Sequence, residues 1–228
     1  MPSNPYPRRT PRVLMIGDSL TVGPFGERVE SWLLKGGGPE KIAVYGSCGS
    51  SPEHWLAAEK VFTTPCGYRE THGSTRILET HRDGRRPRPT PTPKIENLLA
   101  RHRPDLIIVQ LGTNHYSNLE DDGMDILPKL AARYEAFADA LVRHGRNVQR
   151  VVWITPPDSS RYSSAIESEV RKLILNTAAR HRFRIIDSKK LTRYVKGKTG
   201  SDGIHYGKEA GYAWADAVIR QLNVSLAR

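Results

Sequence analysis

Five apolar runs recur along the chain, RVLMIG, KIAVYG, DLIIVQLG, RVVWITPP and RFRIID, and each gives way to turn residues and a helical pattern. Runs this short and this continuously apolar suit strands buried on both faces. Their alternation with helices predicts βαβ units around a parallel sheet. Between the third and fourth runs, Ile126, Leu130, Tyr134, Phe137 and Leu141 recur at spacings of three and four; between the fourth and fifth, Ile166, Val170, Leu173, Ile174 and Thr177 do the same. Each set forms one apolar stripe and predicts an amphipathic crossover helix. FGERVESWLL and PTPKIENLLARHRPD also read as helical, and a last helix over roughly 208–222 carries Ala210, Ala213, Trp214, Ala217 and Val218 on one stripe.

One stretch breaks this rhythm. Between Lys60 and Pro93 the chain is polar, through CGYRETHGSTR and HRDGRRPRPTPTP, and is longer than the connections of a compact α/β unit. Loops of that length are usually functional or disordered, and the PRPTPTP end predicts extended chain near polyproline II. At 228 residues and with no internal repeat, the expectation is a single domain over 12–228 with a long insertion at about 60–93. The proline-rich, basic residues 1–11 are expected to form a disordered or extended leader.

Composition narrows the possible partners. Hydrophobic residues make up 38% and charged residues 26%, and no apolar run reaches the roughly 20 residues that span a bilayer. The leader lacks the apolar segment of a signal peptide, which fits a cytoplasmic protein or a mature secreted form without its signal. A net charge of +11 fits either a solvated basic surface or attraction to polyanions. The densest cluster, RRPRP, alternates with proline and not with aromatic residues, so no nucleic-acid partner is expected. Cys48 and Cys66 are too few for a disulfide framework, and no Cys/His spacing suggests zinc, so neither metal nor cofactor is expected. A bridge between the two would close a loop of about 17 residues and contribute roughly 3 kcal/mol; two reduced thiols are equally compatible with the sequence.

Candidate chemistry begins at VLMIGDSLTVG, residues 13–23. Ser19 follows the glycine that ends the first strand and precedes a helix, which places a turn side chain at the carboxyl edge of the sheet, where open α/β folds bind ligands. Its flanking glycines leave room for a substrate to approach. The same stretch also fits Ser19 or Thr21 as a plain helix N-cap, with Asp18 and Leu20 supporting the turn. A serine nucleophile needs a base and the base an orienting group. SDGIHYGKEAGYAW supplies Asp202 three residues before His205, a spacing that lets one turn of chain aim both at one point. Donors for a developing oxyanion are available at Asn114 in VQLGTNH and at the glycines of YGSCGSS.

Taken in order, GDSL at 17–20, a glycine after the second strand, GTN at 112–114 and DGIH at 202–205 resemble the blocks of the SGNH (GDSL-type) hydrolases over nearly the whole chain. The resemblance implies a flavodoxin-like three-layer αβα fold of about five parallel strands and metal-free ester hydrolysis. By position, Ser19 would be the nucleophile, His205 the general base, Asp202 its orienting acid, and Ser19, Gly49 and Asn114 the oxyanion hole. This chain departs from the family pattern in three ways. His115 stands where an aspartate is common, YGSCGSS lacks the usual asparagine so that Gly46 rivals Gly49, and the insertion enlarges the connection between the second and third blocks. His115, Tyr116 and Arg69, with Arg76, His81 and Arg82 nearby in sequence, are expected to form a polar, basic rim that binds substrate. The expected substrate is a small O-acetyl ester on carbohydrate or peptidoglycan. The alternatives are a lysophospholipase or thioesterase for longer acyl chains and a non-catalytic polysaccharide-binding protein on the same scaffold.

Overall fold

In the computed structural model, residues 10–226 are described apart from 82, 83, 146, 147 and 149, so residues 1–9 of the expected leader lie outside the described residues. The five apolar runs become β1 (Val13–Gly17), β2 (Ile42–Ser47), β7 (Leu106–Gln110), β8 (Arg150–Ile154) and β9 (Arg184–Ile186). All five are parallel, in the spatial order β2-β1-β7-β8-β9. The central registers set apolar residues side by side, with Met15 level with Val44 on one flank and Ile108 on the other.

Side chains two apart on a strand share a face. Leu14, Ile16, Ala43, Tyr45, Ile107 and Val109 face one core, beneath α3 (Ile95–His102), α4 (His115–Asp122), α5 (Leu127–His144) and α6 (Ser164–Arg180). Val13, Met15, Val44, Ile108 and Val152 face the other, beneath α2 (Pro24–Gly37) and α7 (Lys208–Leu226), where Phe25 stacks on Trp214 at 3.7 Å. This is the three-layer αβα arrangement that the family resemblance implies, built on the parallel sheet that the alternation predicts. Leu130, Tyr134, Phe137 and Leu141 are fully buried on α5, as their spacing requires. On α7 the stripe is shifted from the expected one: Ala215, Trp214, Val218 and Leu222 are buried, whereas Ala213 is exposed.

The polar stretch contains regular structure that its composition conceals. β4 (Tyr68–His72) and β5 (Thr75–Glu79) form a hairpin, and β4 adds antiparallel to the free edge of β2, giving a seven-stranded sheet. At its two ends, β3 (Thr63–Thr64) pairs with β6 (Thr90–Pro91), so the PRPTPTP segment is extended and partly paired. Cys48, at the end of β2, is bridged to Cys66, just before β4. Thr64 Oγ1 donates to the carbonyl of Cys48 at 2.7 Å beside that bridge. The insertion is thus clamped to the strand-two turn.

Candidate active site

The turn after β1 decides what Ser19 is free to do. Ser19 opens a one-turn helix, α1 (Ser19–Val22), but the N-cap is Asp18, whose Oδ1 accepts from Leu20 N at 3.0 Å. Capping by the preceding aspartate leaves the Ser19 hydroxyl available for other work. Gly17 makes room beneath it: a Cβ there would sit 2.0 Å from Thr21 Oγ1. That space serves the packing of Thr21, which donates to Gln110 Oε1 at 3.0 Å, and not the approach of a substrate, as the flanking glycines alone suggest.

Asp202 and His205 lie in the loop before α7, at the same edge of the sheet. His205 Nδ1 meets Asp202 Oδ2 at 2.6 Å, and His205 Nε2 meets Ser19 Oγ at 2.8 Å across 186 residues of chain. With Nδ1 donating to the carboxylate, Nε2 is left to accept the serine proton. Asp202 Oδ1 also accepts the backbone N–H groups of Ile204 and His205, at 2.9 and 2.8 Å. Partial burial works to raise the Asp202 carboxyl, but the hydrogen bonds from the His205 ring and these two N–H groups outweigh it and hold it at about 2. The His205 and Asp202 side chains remain 49% and 50% exposed, so the relay is reachable from solvent.

A buried tyrosine that no local pattern marks holds this loop. Tyr194 Oη accepts from Gly203 N at 3.0 Å and lies 3.2 Å from the His205 carbonyl, to which it donates. From the other side, Ser160 N donates to the Gly203 carbonyl at 2.9 Å.

The turns after β2 and β7 lie at the same edge of the sheet as Ser19 and carry the other two residues expected to donate to an oxyanion. Ser47–Ser50 is closed by Ser50 N donating to Ser47 O at 3.1 Å, and Gly49, its third residue, has φ +81°, the left-handed region that favours glycine. Gly46 lies inside β2, in register with Gly17 and Arg69, so it belongs to the ladder and not to the turn. Asn114 precedes α4, and its Nδ2 donates to the Ser50 carbonyl at 2.8 Å, which leaves the second amide hydrogen of that nitrogen.

The expected rim residues are a correction. Arg69 is 7% exposed; its Nε and Nη2 donate to the Val22 carbonyl and its Nη1 pairs with Glu30 at 2.6 Å. It therefore ties the hairpin to the end of α1, with Nε, Nη1 and Nη2 all engaged inside the protein. His115 is fully buried and Tyr116 is 3% exposed, both packed in the core beneath α4 and α5. Arg76 is exposed but sits at the hairpin tip, where Gly73 N donates to Pro39 O, at the opposite edge of the sheet. His81 is exposed after β5, and Arg82 lies outside the described residues.

Directly behind Ser19 lies a polar cluster. Asp18, Gln110 and Thr113 are buried together, with the Thr113 and Gln110 side chains facing the Asp18 carboxyl. Burial pushes the Asp18 carboxyl up to about 6, against the pull of Leu20 N, Thr113, the His205 charge and Gln110. Among the described residues, no group of three or more His, Cys, Asp or Glu side chains is placed to hold a metal ion.

A family model described as GDSL-like lipase/acylhydrolase matches residues 13–218, and the chain belongs to that family. The protein is accordingly a carboxylic ester hydrolase. No curated protein sequence matches it. Among solved structures it is similar to a carbohydrate acetylesterase family member from Sinorhizobium meliloti, at 15% identity and TM-score 0.60, over 95% of this chain and 100% of that one. It is also similar to Axe2, an acetyl xylan esterase from Geobacillus stearothermophilus, at 14% identity and TM-score 0.57, over 92% and 93% of the two chains. A lipase/acylhydrolase from Enterococcus faecalis aligns at 18% identity and TM-score 0.55, over 92% and 95%. At such identities these likenesses concern the fold.

Proposed function

We propose that the protein is a serine esterase that removes small O-acyl groups, acetyl foremost, from carbohydrate or peptidoglycan. The observation that carries this reading is the continuous relay from Asp202 through His205 to Ser19, with spacings of 2.6 and 2.8 Å, at a solvent-accessible edge of the sheet. His205 Nε2 takes the Ser19 proton as Oγ attacks the ester carbonyl. The Ser19 and Gly49 N–H groups and Asn114 Nδ2 receive the negative oxygen. Collapse breaks the ester C–O bond, the departing alcohol takes the proton from Nε2, and a water activated by the same nitrogen then releases the acid from Ser19. Ionised Asp202 holds the imidazole in the tautomer this sequence needs and offsets its charge.

One feature of the site supports a small acyl group on a polar carrier. The relay is half open to solvent, which suits an acyl ester projecting from a large carrier. The names of two similar structures, a carbohydrate acetylesterase and an acetyl xylan esterase, point the same way. Hydrolysis of p-nitrophenyl acetate, octanoate and palmitate, beside acetate release from O-acetylated xylan and peptidoglycan, tests the reading. The rate is expected to fall as the acyl chain lengthens, and Ser19→Ala to lose at least about a hundredfold with the fold intact. A rate maximum at octanoate or longer overturns the small-acyl assignment, and an undiminished Ser19→Ala rate overturns the mechanism.

A further inference from the structure

Behind the two turns that carry Gly49 and Asn114 lies a buried polar network with no part in the proton relay. Glu53 comes four residues after Gly49, in the 3-10 turn Pro52–Trp55, and His115 directly follows Asn114. His115 Nε2 meets Glu53 Oε2 at 3.1 Å, Arg133 Nη1 on α5 pairs with Glu53 Oε1 at 2.7 Å, and His115 Nδ1 meets the Tyr134 hydroxyl at 3.0 Å. Facing a carboxylate, Nε2 carries a proton. Burial works to raise the Glu53 carboxyl, but the His115 hydrogen bond and charge, with Arg133 beyond them, hold it below its ordinary range.

The geometry points to Glu53 and His115 as a positioning pair that sets the gap between the two oxyanion donors from behind. The inference rests on the assignment of Gly49 and Asn114 as those donors. His115 is fully buried and the Glu53 side chain is only 8% exposed, with both its oxygens engaged by His115 and Arg133, so the pair acts from behind the donors. Filling this space with apolar side chains of similar volume would avoid the cost of burying a carboxylate and an imidazole. What the polar pair adds is direction, since it links two turns 62 residues apart through atoms that tolerate little displacement. The link is doubled: Asn114 Nδ2 donates to Ser50 O at 2.8 Å, and Trp55 Nε1 donates to Ser50 Oγ at 3.1 Å, so the whole strand-two turn is held from both ends. Oxyanion donors act through their placement around an oxygen that carries charge only in transit, so a slackened gap weakens the transition state more than it weakens the ground-state complex.

Steady-state kinetics on a small acetyl ester, normalised to protein titrated with a fluorophosphonate, test the pair. In Glu53→Ala, kcat is expected to fall about tenfold or more while KM stays within about twofold. Glu53→Gln keeps the shape and the oxygen that accepts from Arg133, and with the His115 proton moved to Nδ1 its new amide can donate to Nε2, so it is expected within about threefold of the parent. His115→Ala should match Glu53→Ala, and the double variant should be no worse than either single, with a coupling of about tenfold. Because a buried alanine at 115 can prevent folding, Arg133→Met at the outer end of the network is measured beside it, with kcat about threefold down expected. Parent-like kcat in folded Glu53→Ala, a change confined to KM, equal losses for Ala and Gln at 53, or additive losses in the double variant each overturn the proposal. So does a failure of both Glu53 variants to fold, which makes the network a core support. A parent protein that neither hydrolyses acetyl esters nor labels at Ser19 is a different result: it removes the esterase reading itself.

Discussion

Asp18 has two jobs that conflict. It caps α1 through Oδ1, yet its carboxyl is fully buried and is raised to about 6 by that burial. A carboxyl whose folded pKa lies above its unfolded value holds extra protons in the folded state, so stability falls as pH rises from about 4 to about 6 and stays lower above it. Asp18→Asn keeps the cap and removes the titration. Chemical denaturation of both proteins across this range should show the parent losing roughly 3 kcal/mol in all relative to the variant; parallel curves would refute the buried titration. The base role proposed for His205 acts oppositely in activity, because only a neutral ring can accept a proton from Ser19. kcat/KM should therefore rise with pH and then level off, with Asp202 ionised throughout, since its carboxyl is held at about 2. A rate that is flat through the titration of the ring, followed by NMR, would argue against the base role. Ser19, Asp202 and His205 were legible because short spacings around glycines fix where such side chains point. Arg69, His115 and Tyr116 were not, because a lone polar residue reads the same whether it faces water or a buried partner. Tyr194 and Glu53 carry no local signal at all; only their contacts identify them.

The hairpin shows how a strand hides. YRETH is polar on both faces, and its two buried polar residues, Arg69 and Thr71, are satisfied by Glu30 of α2 at 2.6 Å each. Hydrophobic alternation, the usual mark of a strand, is therefore missing. A weak signal remains in Gly73-Ser74 between His72 and Thr75, a two-residue turn that opens on glycine. Removing one partner of a buried ion pair leaves the other uncompensated, so Arg69→Met should cost about 3–5 kcal/mol in denaturant unfolding. Arg69 also binds the Val22 carbonyl at the end of α1, so some loss of activity should accompany it. The Cys48–Cys66 bridge clamps the same insertion beside Gly49, whose Cβ position lies 3.4 Å from the Phe62 ring. Replacing both cysteines by serine should cost roughly 3 kcal/mol, with hydrogen exchange in β4 and β5 rising first. An unchanged exchange rate there would show that pairing with β2 suffices to hold the hairpin.

The whole chain distributes its charge unevenly. Helices of a parallel α/β domain run back against the strands, so their C-termini gather at the edge opposite Ser19. Arg101 and His102 end α3, Arg143 and His144 end α5, and Arg180 ends α6, where cations complement the helix dipole. Three arginines of this basic chain thus have an explanation inside the fold. Hydrolysis of an uncharged acetyl ester should accordingly vary less than about twofold in kcat/KM between low and high ionic strength; a steep dependence would place basic residues at the site. Sequence alone determined the order of five buried strands, the helices that cross between them, and a serine, an aspartate and a histidine at one edge. These follow from period, chain connectivity and short-range geometry, which are local quantities. Tertiary structure decided the hairpin on the sheet edge, the joined cysteines, the burial of Arg69 and His115, and the cap that leaves the Ser19 hydroxyl free to meet His205. All but the cap, which Asp18 makes with Leu20 only two residues away, depend on which distant group arrives, and such a partner leaves no periodic trace in the chain.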